Sequence, residues 1–268
     1  MQYDIIYYKD ARDMSEVDDN SITLIVTSPP YWNIKNYSLN FPKQKGQIGS
    51  IEDYREYLCA LNTVWQECER TLEPNGKLCV NAPLTPIPKK HLNTHHTRDI
   101  FNLYSDIEHE ILEQTELYLM DLYIWNRVNP TKNLMFGSYP YPSNFYAQNT
   151  VEFIGIFVKD GKPKPRAPEI KEASKLTQEE WLNFTKQIWD IPIPNRGDVA
   201  YGEHPAIMPA EIASRLIRLY SFVDDIVLDP FLGSGTTAKS ALQNGRHYIG
   251  YEINSAYKEI IEAKLKSE

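Results

Sequence analysis

The sequence predicts an α/β fold built around a mostly parallel sheet. Three observations predict it: short apolar runs that lack polar alternation, a strand–helix–strand succession near the N-terminus, and a Gly-rich turn joining a late apolar run to a helix. At 268 residues the chain fits one large α/β domain with a sizeable insertion, and a single domain over 1–268 is expected.

The first strands are Ile5-Ile6-Tyr7-Tyr8 and Thr23-Leu24-Ile25-Val26, whose continuous apolar character suits burial on both faces. Next, Tyr54, Tyr57, Leu58, Leu61, Val64, Trp65, Cys68 and Leu72 recur at helical spacing. Ser50 and Asp53 suit a capping box for this helix, and Pro74-Asn75-Gly76 suits its stop. Leu78-Cys79-Val80 reads as the following strand. From about 83 to 205 the pattern loosens into Pro, Tyr and Asn, with Leu122-Tyr123-Ile124-Trp125 and Phe153-Ile154-Gly155-Ile156-Phe157-Val158 as clear strands and much of the rest as loops. Clean patterning then returns. Pro209 opens a helix with Ile212, Leu216 and Leu219 inward, Ile226-Val227-Leu228 is a strand and a short helix begins near Thr236. Tyr248-Ile249-Gly250-Tyr251 is another strand, and Tyr257, Ile260, Ile261 and Leu265 mark a final helix.

Hydrophobic residues make up 42% and charged residues 24%, ordinary values for a globular protein that needs neither metal nor disulfide to fold. The three cysteines, Cys59, Cys68 and Cys79, fall within apolar patterns and read as core thiols. Met1-Gln2-Tyr3-Asp4 does not resemble a secretion signal and no apolar run reaches membrane-spanning length, so the expectation is a cytoplasmic enzyme without a membrane. A net charge of −8 argues against a protein that coats nucleic acid, because non-specific affinity comes from Lys and Arg neutralising phosphates. Any such contact must be local. Basic stretches that could serve are Lys35, Lys43 and Lys45; Lys89, Lys90 and Arg98; Arg127 and Lys132; and Lys159, Lys162, Lys164 and Arg166, each of which also suits an ordinary solvated face.

Asp229-Pro230-Phe231-Leu232-Gly233-Ser234-Gly235-Thr236-Thr237 follows a strand and opens a helix, where open α/β sheets bind ligands. It lacks the Lys-Ser/Thr ending of a phosphate loop and the third glycine of a dinucleotide fingerprint. Glu252 ends the next strand, where a carboxylate can accept from both hydroxyls of a ribose. A nucleoside with an uncharged or cationic tail fits best; a plain tight turn with an exposed Glu is the alternative.

Ser28-Pro29-Pro30-Tyr31-Trp32 directly follows the second strand. Consecutive prolines remove two backbone donors and leave carbonyls as acceptors, so the turn suits an amine. A planar base bearing NH₂ could donate to the Ser28 hydroxyl and the Pro29 carbonyl while stacking on Tyr31, once flipped from a duplex. A proline-rich loop with buried aromatics is the alternative.

Together the two motifs resemble the amino methyltransferases of restriction-modification systems, in their β class, in which the catalytic turn precedes the cofactor loop. The resemblance covers almost the whole chain. Thr27-Ser28-Pro29-Pro30-Tyr31 is similar to the family's catalytic motif in its N4-cytosine form, whereas N6-adenine enzymes usually begin it with Asp or Asn. Asp229 to Thr237 matches the S-adenosyl-L-methionine loop, and His204-Pro205-Ala206-Ile207-Met208-Pro209-Ala210-Glu211 looks like the cofactor-side motif preceding it. Asp10, beside Ala11, sits where the family has an acidic residue near the cofactor's adenine.

The resemblance implies a Rossmann-like, mostly parallel seven-stranded methyltransferase sheet with a terminal antiparallel hairpin and helices on both faces. It implies target recognition within about 127–200. It implies Ser28, Pro29, Pro30 and Tyr31 as catalytic, Trp32 on the base pocket wall, and Asp10, Ala11, Asp229, Phe231, Gly233, Ser234, Gly235, Thr236 and Glu252 at the cofactor. The implied partners are double-stranded DNA, a cognate restriction endonuclease and a second copy of the chain, in a prokaryotic or phage setting.

The implied chemistry is direct, in-line methyl transfer to N4 of a cytosine, with N6 of adenine the nearest rival. A 5-methylcytosine mechanism needs a nucleophilic Cys, usually after Pro, and none of the three follows one. A catalytically silent DNA-binding subunit, or an enzyme acting on RNA or a small amine, are the rivals from other classes. His91, His95 and His96 carry metal-like spacing without a supporting carboxylate or Cys pattern, so no metal is expected.

Overall fold

The computed structural model describes residues 1–32, 46–86, 99–128 and 138–267. Lys35, Lys43, Lys45, Lys89, Lys90, His91, His95, His96, Arg98 and Lys132 lie outside the described residues.

Ten strands and seven α-helices follow one another in the described residues. β1 (Ile5–Tyr7) and β2 (Ile22–Thr27) lead to α1 (Tyr54–Thr71) and β3 (Leu72–Pro83). β4 (Thr85–Pro86) and β5 (Ile100–Phe101) form a small separate ribbon, followed by α2 (Leu103–Gln114). Then come β6 (Tyr118–Asn126), β7 (Val151–Val158), α3 (Pro168–Ala173), α4 (Gln178–Phe184) and β8 (Ile188–Asp190). The chain closes with α5 (Ala210–Tyr220), β9 (Ile226–Asp229), α6 (Thr236–Gln243), β10 (His247–Tyr251) and α7 (Lys258–Lys266).

The main sheet has the order β1-β10-β9-β2-β3-β7-β6-β8. All its pairings are parallel except those of β7 with β3 and β6, so β7 alone runs against the others. The mostly parallel sheet and its antiparallel hairpin are therefore present. The count differs from the expected seven: the three residues of β8 pair with Ile124, Trp125 and Asn126 and add an eighth strand at the edge.

Successive strand residues face opposite ways, and β2 shows the consequence. Ile22 and Ile25 enter a core built against α1 and α2, whereas Leu24 and Val26 enter one built against α5, α6 and α7. Leu78 and Cys79 divide in the same way. Helices on both faces are thus what a doubly buried strand requires.

Four local expectations change. Asp53 caps α1 by accepting from Glu56 N, while the Ser50 hydroxyl donates to Gln47 O in the preceding 3-10 turn, so the two do not form a capping box. α1 ends at Thr71 without help from Pro74-Asn75-Gly76. That tripeptide lies inside β3 as an irregularity, where pairing jumps from Ile22↔Leu72 to Leu24↔Lys77 and Asn75 takes φ 65°. Cys68 and Cys79 are buried, but Cys59 is exposed because it lies on the outer face of α1. The stretch 83–205 holds more structure than loops and two strands: α2 buries Leu103, Tyr104, Ile107 and Ile111, and Asn102 caps it through Ser105 N.

Candidate active site

The functional motifs converge because parallel strands deliver their carboxyl ends to one edge of the sheet. Ser28 follows β2, the Gly-rich turn follows β9, and Glu252 follows β10. β7 runs the other way, so its start lies at that same edge, with Glu152 paired across from Pro83 at the end of β3.

Two adjoining cavities occupy this edge. The first is lined by Asp10, Ala11, Phe231, Gly233, Glu252 and other residues of the same loops, and reaches Ser28 and Pro30. The second is lined by Tyr31, Asn81, Arg127, Asn149 and Glu152 among others. Ser28, His204, Ala206 and Met208 border both.

On the first side, Asp229 joins two strands. Its Oδ1 accepts from the Thr27 hydroxyl at 2.7 Å and from Phe231 N at 3.0 Å, and burial pushes its carboxyl up to about 6. Gly233 and Gly235 take φ 53° and 86°, backbone that a side chain disfavours. A Cβ on Gly233 would lie 2.9 Å from His204 Nε2. The Ser234 and Thr236 hydroxyls both accept from Lys264 Nζ, which also pairs with Asp198 at 3.0 Å.

Glu252 Oε2 accepts from Gly233 N at 2.9 Å, and Oε1 accepts from Asn254 N at 2.8 Å. Each oxygen keeps further acceptor capacity. Burial, with the Asp229 charge adding to it, pushes the Glu252 carboxyl up to about 7. Asp10 is oriented by Arg12, whose N and Nε donate to Oδ1 at 3.0 and 3.1 Å.

This lining suits a nucleoside with a cationic tail. Carboxylates Asp10 and Glu252 repel phosphates and accept from hydroxyls, and the apolar Ala11, Pro30, Phe231 and Met208 suit a planar ring and thioether carbons. The one lysine bordering it among the described residues, Lys9, has its Nζ on Asp13 and Glu16 at 3.1 and 2.9 Å.

On the second side, Ser28 Oγ lies 3.0 Å from Tyr31 Oη and donates to Asn81 O at 3.1 Å in one of its arrangements. Tyr31 Oη donates to Glu152 Oε2 at 3.1 Å, Asn81 Nδ2 donates to the same oxygen at 2.7 Å, and Arg127 Nη1 stands 3.5 Å from Oε1.

The structure thus brings Asp10, Ala11, Ser28, Pro30, Asp229, Phe231, Gly233, Ser234, Thr236 and Glu252 to the first cavity and Tyr31 to the second. Trp32, expected on the base pocket wall, is instead buried in an aromatic cluster, edge-on to Tyr54 and Phe101 at 5.0 and 5.2 Å. Sequence reading missed Asn81, Glu152 and Lys264. Among the described residues no group of three or more His, Cys, Asp or Glu could hold a metal, and no helix is long and apolar enough to cross a membrane.

A family model described as DNA methylase, covering N6 and N4 enzymes, matches residues 22–263. The chain is 35% identical to the Type II methyltransferase M.MjaI of Methanocaldococcus jannaschii, over 97% of this chain and 90% of that protein. A candidate DNA modification methylase from Thermus thermophilus, crystallised with S-adenosyl-L-methionine, superposes with TM-score 0.76 at 30% identity, covering 97% of this chain and 92% of that one. PvuII DNA methyltransferase, described as cytosine-N4-specific, shares the fold with TM-score 0.70 at 20% identity, covering 100% and 88%.

Proposed function

This chain belongs to the N6/N4 DNA methylases and uses S-adenosylmethionine, and from that premise we propose that its target is N4 of cytosine in duplex DNA. One observation carries the reading: Ser28 heads the Ser-Pro-Pro-Tyr turn and borders both cavities, so a hydroxyl acceptor stands where donor and base must meet. The Ser head of the motif supports cytosine over adenine, as does the description of PvuII methyltransferase, with which the chain shares a fold.

Bound S-adenosylmethionine supplies a methyl group on a positively charged sulfur, which leaves as a neutral thioether. Glu252 and Asp10 would hold its hydroxyls and purine amine, Phe231 and Ala11 its apolar surfaces, and Gly233 lets the backbone approach, whereas Gly235, expected at the cofactor, does not line this cavity and packs against Ile261 of α7. The flipped base would enter the Glu152 side. An exocyclic amine is a weak nucleophile because its lone pair is conjugated with the ring. By accepting its hydrogens, Ser28 Oγ and Pro29 O would favour the tetrahedral nitrogen that attacks in line. Target reading falls to residues within about 127–200, starting from Arg127 at the cavity rim.

Unmethylated phage DNA incubated with the protein and labelled S-adenosylmethionine, then digested for nucleoside mass spectrometry, tests this. Labelled N4-methylcytosine is expected. Labelled N6-methyladenine alone would overturn the cytosine assignment while keeping the family.

A further inference from the structure

We propose that Glu152 is a positioning residue for methyl transfer: through Tyr31 it fixes which way the Ser28 hydroxyl points, and it receives the proton that the amino nitrogen sheds. The inference rests on the reading of Ser28 as the group that meets the amine.

The donor and acceptor capacity of each group sets the direction of the chain. An ionised carboxylate only accepts, so Tyr31 Oη, 3.1 Å away, must give its one proton to Glu152. With that proton spent, Tyr31 Oη faces Ser28 Oγ, 3.0 Å away, as an acceptor. A second neighbour of Ser28 Oγ, the Asn81 carbonyl at 3.1 Å, is also an acceptor. Both inner partners therefore draw the Ser28 proton inward and leave oxygen lone pairs for an incoming N–H. Asn81 Nδ2, donating to Glu152 Oε2 at 2.7 Å, and Arg127 Nη1, near Oε1, hold the carboxylate in place.

The same chain conducts a proton. As the amine forms its N–CH₃ bond, the S–CH₃ bond breaks and its electron pair stays on sulfur. The surplus proton on nitrogen passes to Ser28 Oγ, the Ser28 proton to Tyr31 Oη, and the Tyr31 proton to Glu152. A cation and a carboxylate become two neutral groups, and the base ends neutral. Release from Glu152 to solvent resets the chain.

Among the described residues, charged or titratable groups seen facing Glu152 are Tyr31 from the turn after β2 and Arg127 just after β6, with Asn81 of β3 polar but not titratable. Tyr201 and His204 line the same cavity. Single-turnover methyl transfer to unmethylated phage DNA, measured against pH and in mixtures of H₂O and D₂O, tests the relay. Glu152→Gln should lower the rate roughly 100-fold. It should also lose the rise of rate with pH on the acid side and the curved dependence on deuterium fraction, while S-adenosylmethionine affinity by calorimetry stays within about twofold, as for a residue remote from the cofactor lobe. Glu152→Asp should restore part of the rate and the acid limb. Tyr31→Phe, which keeps the carboxylate but cuts the chain, decides the matter where Glu152→Gln fails to fold. A Tyr31→Phe enzyme with wild-type rate, acid limb and isotope curvature overturns the proposal, as does the same result for Glu152→Gln. The relay needs only an amino nitrogen, so it stands or falls on these variants whichever base carries the label. A wild-type enzyme that labels no base amine would instead sink the functional reading beneath it.

Discussion

Replacing Glu252 by Gln should weaken S-adenosylmethionine binding and abolish its pH dependence. The side chain sits with one oxygen on Gly233 N and the other on Asn254 N, and burial holds its carboxyl near pH 7 instead of the ordinary 4.5. Ribose hydroxyls need an acceptor, which the ionised form supplies better. Affinity should therefore follow the ionised fraction, falling roughly tenfold between pH 8 and pH 6. At pH 8 the Gln variant loses a charged acceptor, worth about 2 kcal/mol or roughly thirtyfold in Kd, and its Kd should not move with pH. Stability moves oppositely. Because the folded pKa is raised, the ligand-free folded chain holds a proton that the unfolded chain has lost between about 4.5 and 7. Its stability should fall as pH rises through that window, by on the order of 3 kcal/mol at most. Calorimetric titration of both proteins at pH 6, 7 and 8, with melting curves of the free proteins, reads both effects. A wild-type Kd that is flat with pH and matched by the Gln variant would remove Glu252 from the cofactor site.

Ser28→Ala should slow single-turnover methyl transfer roughly 100-fold with cofactor affinity intact, and an unchanged rate would exclude Ser28 from the chemistry. Gly233→Ala forces φ 53° on an L residue and sets a Cβ 2.9 Å from His204 Nε2. It should cost about 1 to 2 kcal/mol before the ring moves, lower Tm by several degrees and weaken cofactor binding; a variant with wild-type Tm and Kd would contradict the loop geometry. Lys264→Met leaves Asp198 without its buried partner and strips the donor shared by the Ser234 and Thr236 hydroxyls. Loss of about 3 kcal/mol is expected, read as a lower urea midpoint, with Asp198→Asn recovering part of it in the double variant. Additive effects of the two substitutions would deny the pairing.

What could be read in the sequence is what short-range pattern encodes. Leu24, Ile25 and Val26 face opposite cores in consecutive positions, so the run had to be apolar throughout, and an apolar run is visible in the residues themselves. The two motifs were visible for a related reason: Gly233 and Gly235 answer to their own backbone angles, and Pro29-Pro30 to their own missing donors. Trp32 shows where this fails. Its place beside Ser-Pro-Pro-Tyr suggested the base pocket, but its partners Tyr54 and Phe101 come from α1 and β5 and hold it in the core. α2 carried a usable signal in Leu103, Ile107 and Ile111, obscured by the polar run Glu108-His109-Glu110 between them. The three residues of β8 are too few to show any period.

Glu152 had no local signal at all. It stands among β-prone residues as one acid in a buried strand, a position where a charge is costly unless partners neutralise it. Those partners arrive from distant points: Tyr31 is 121 residues away and Asn81 is 71. β7 reverses direction within an otherwise parallel sheet, and that reversal brings the start of the strand, with its carboxylate, to the edge where the other strands end. A parallel β7 would place the same acid at the opposite edge, away from Ser28. The antiparallel strand is therefore part of the chemistry: it places a buried acid behind the Ser-Pro-Pro-Tyr turn, where Ser28 and Tyr31 can be oriented from within.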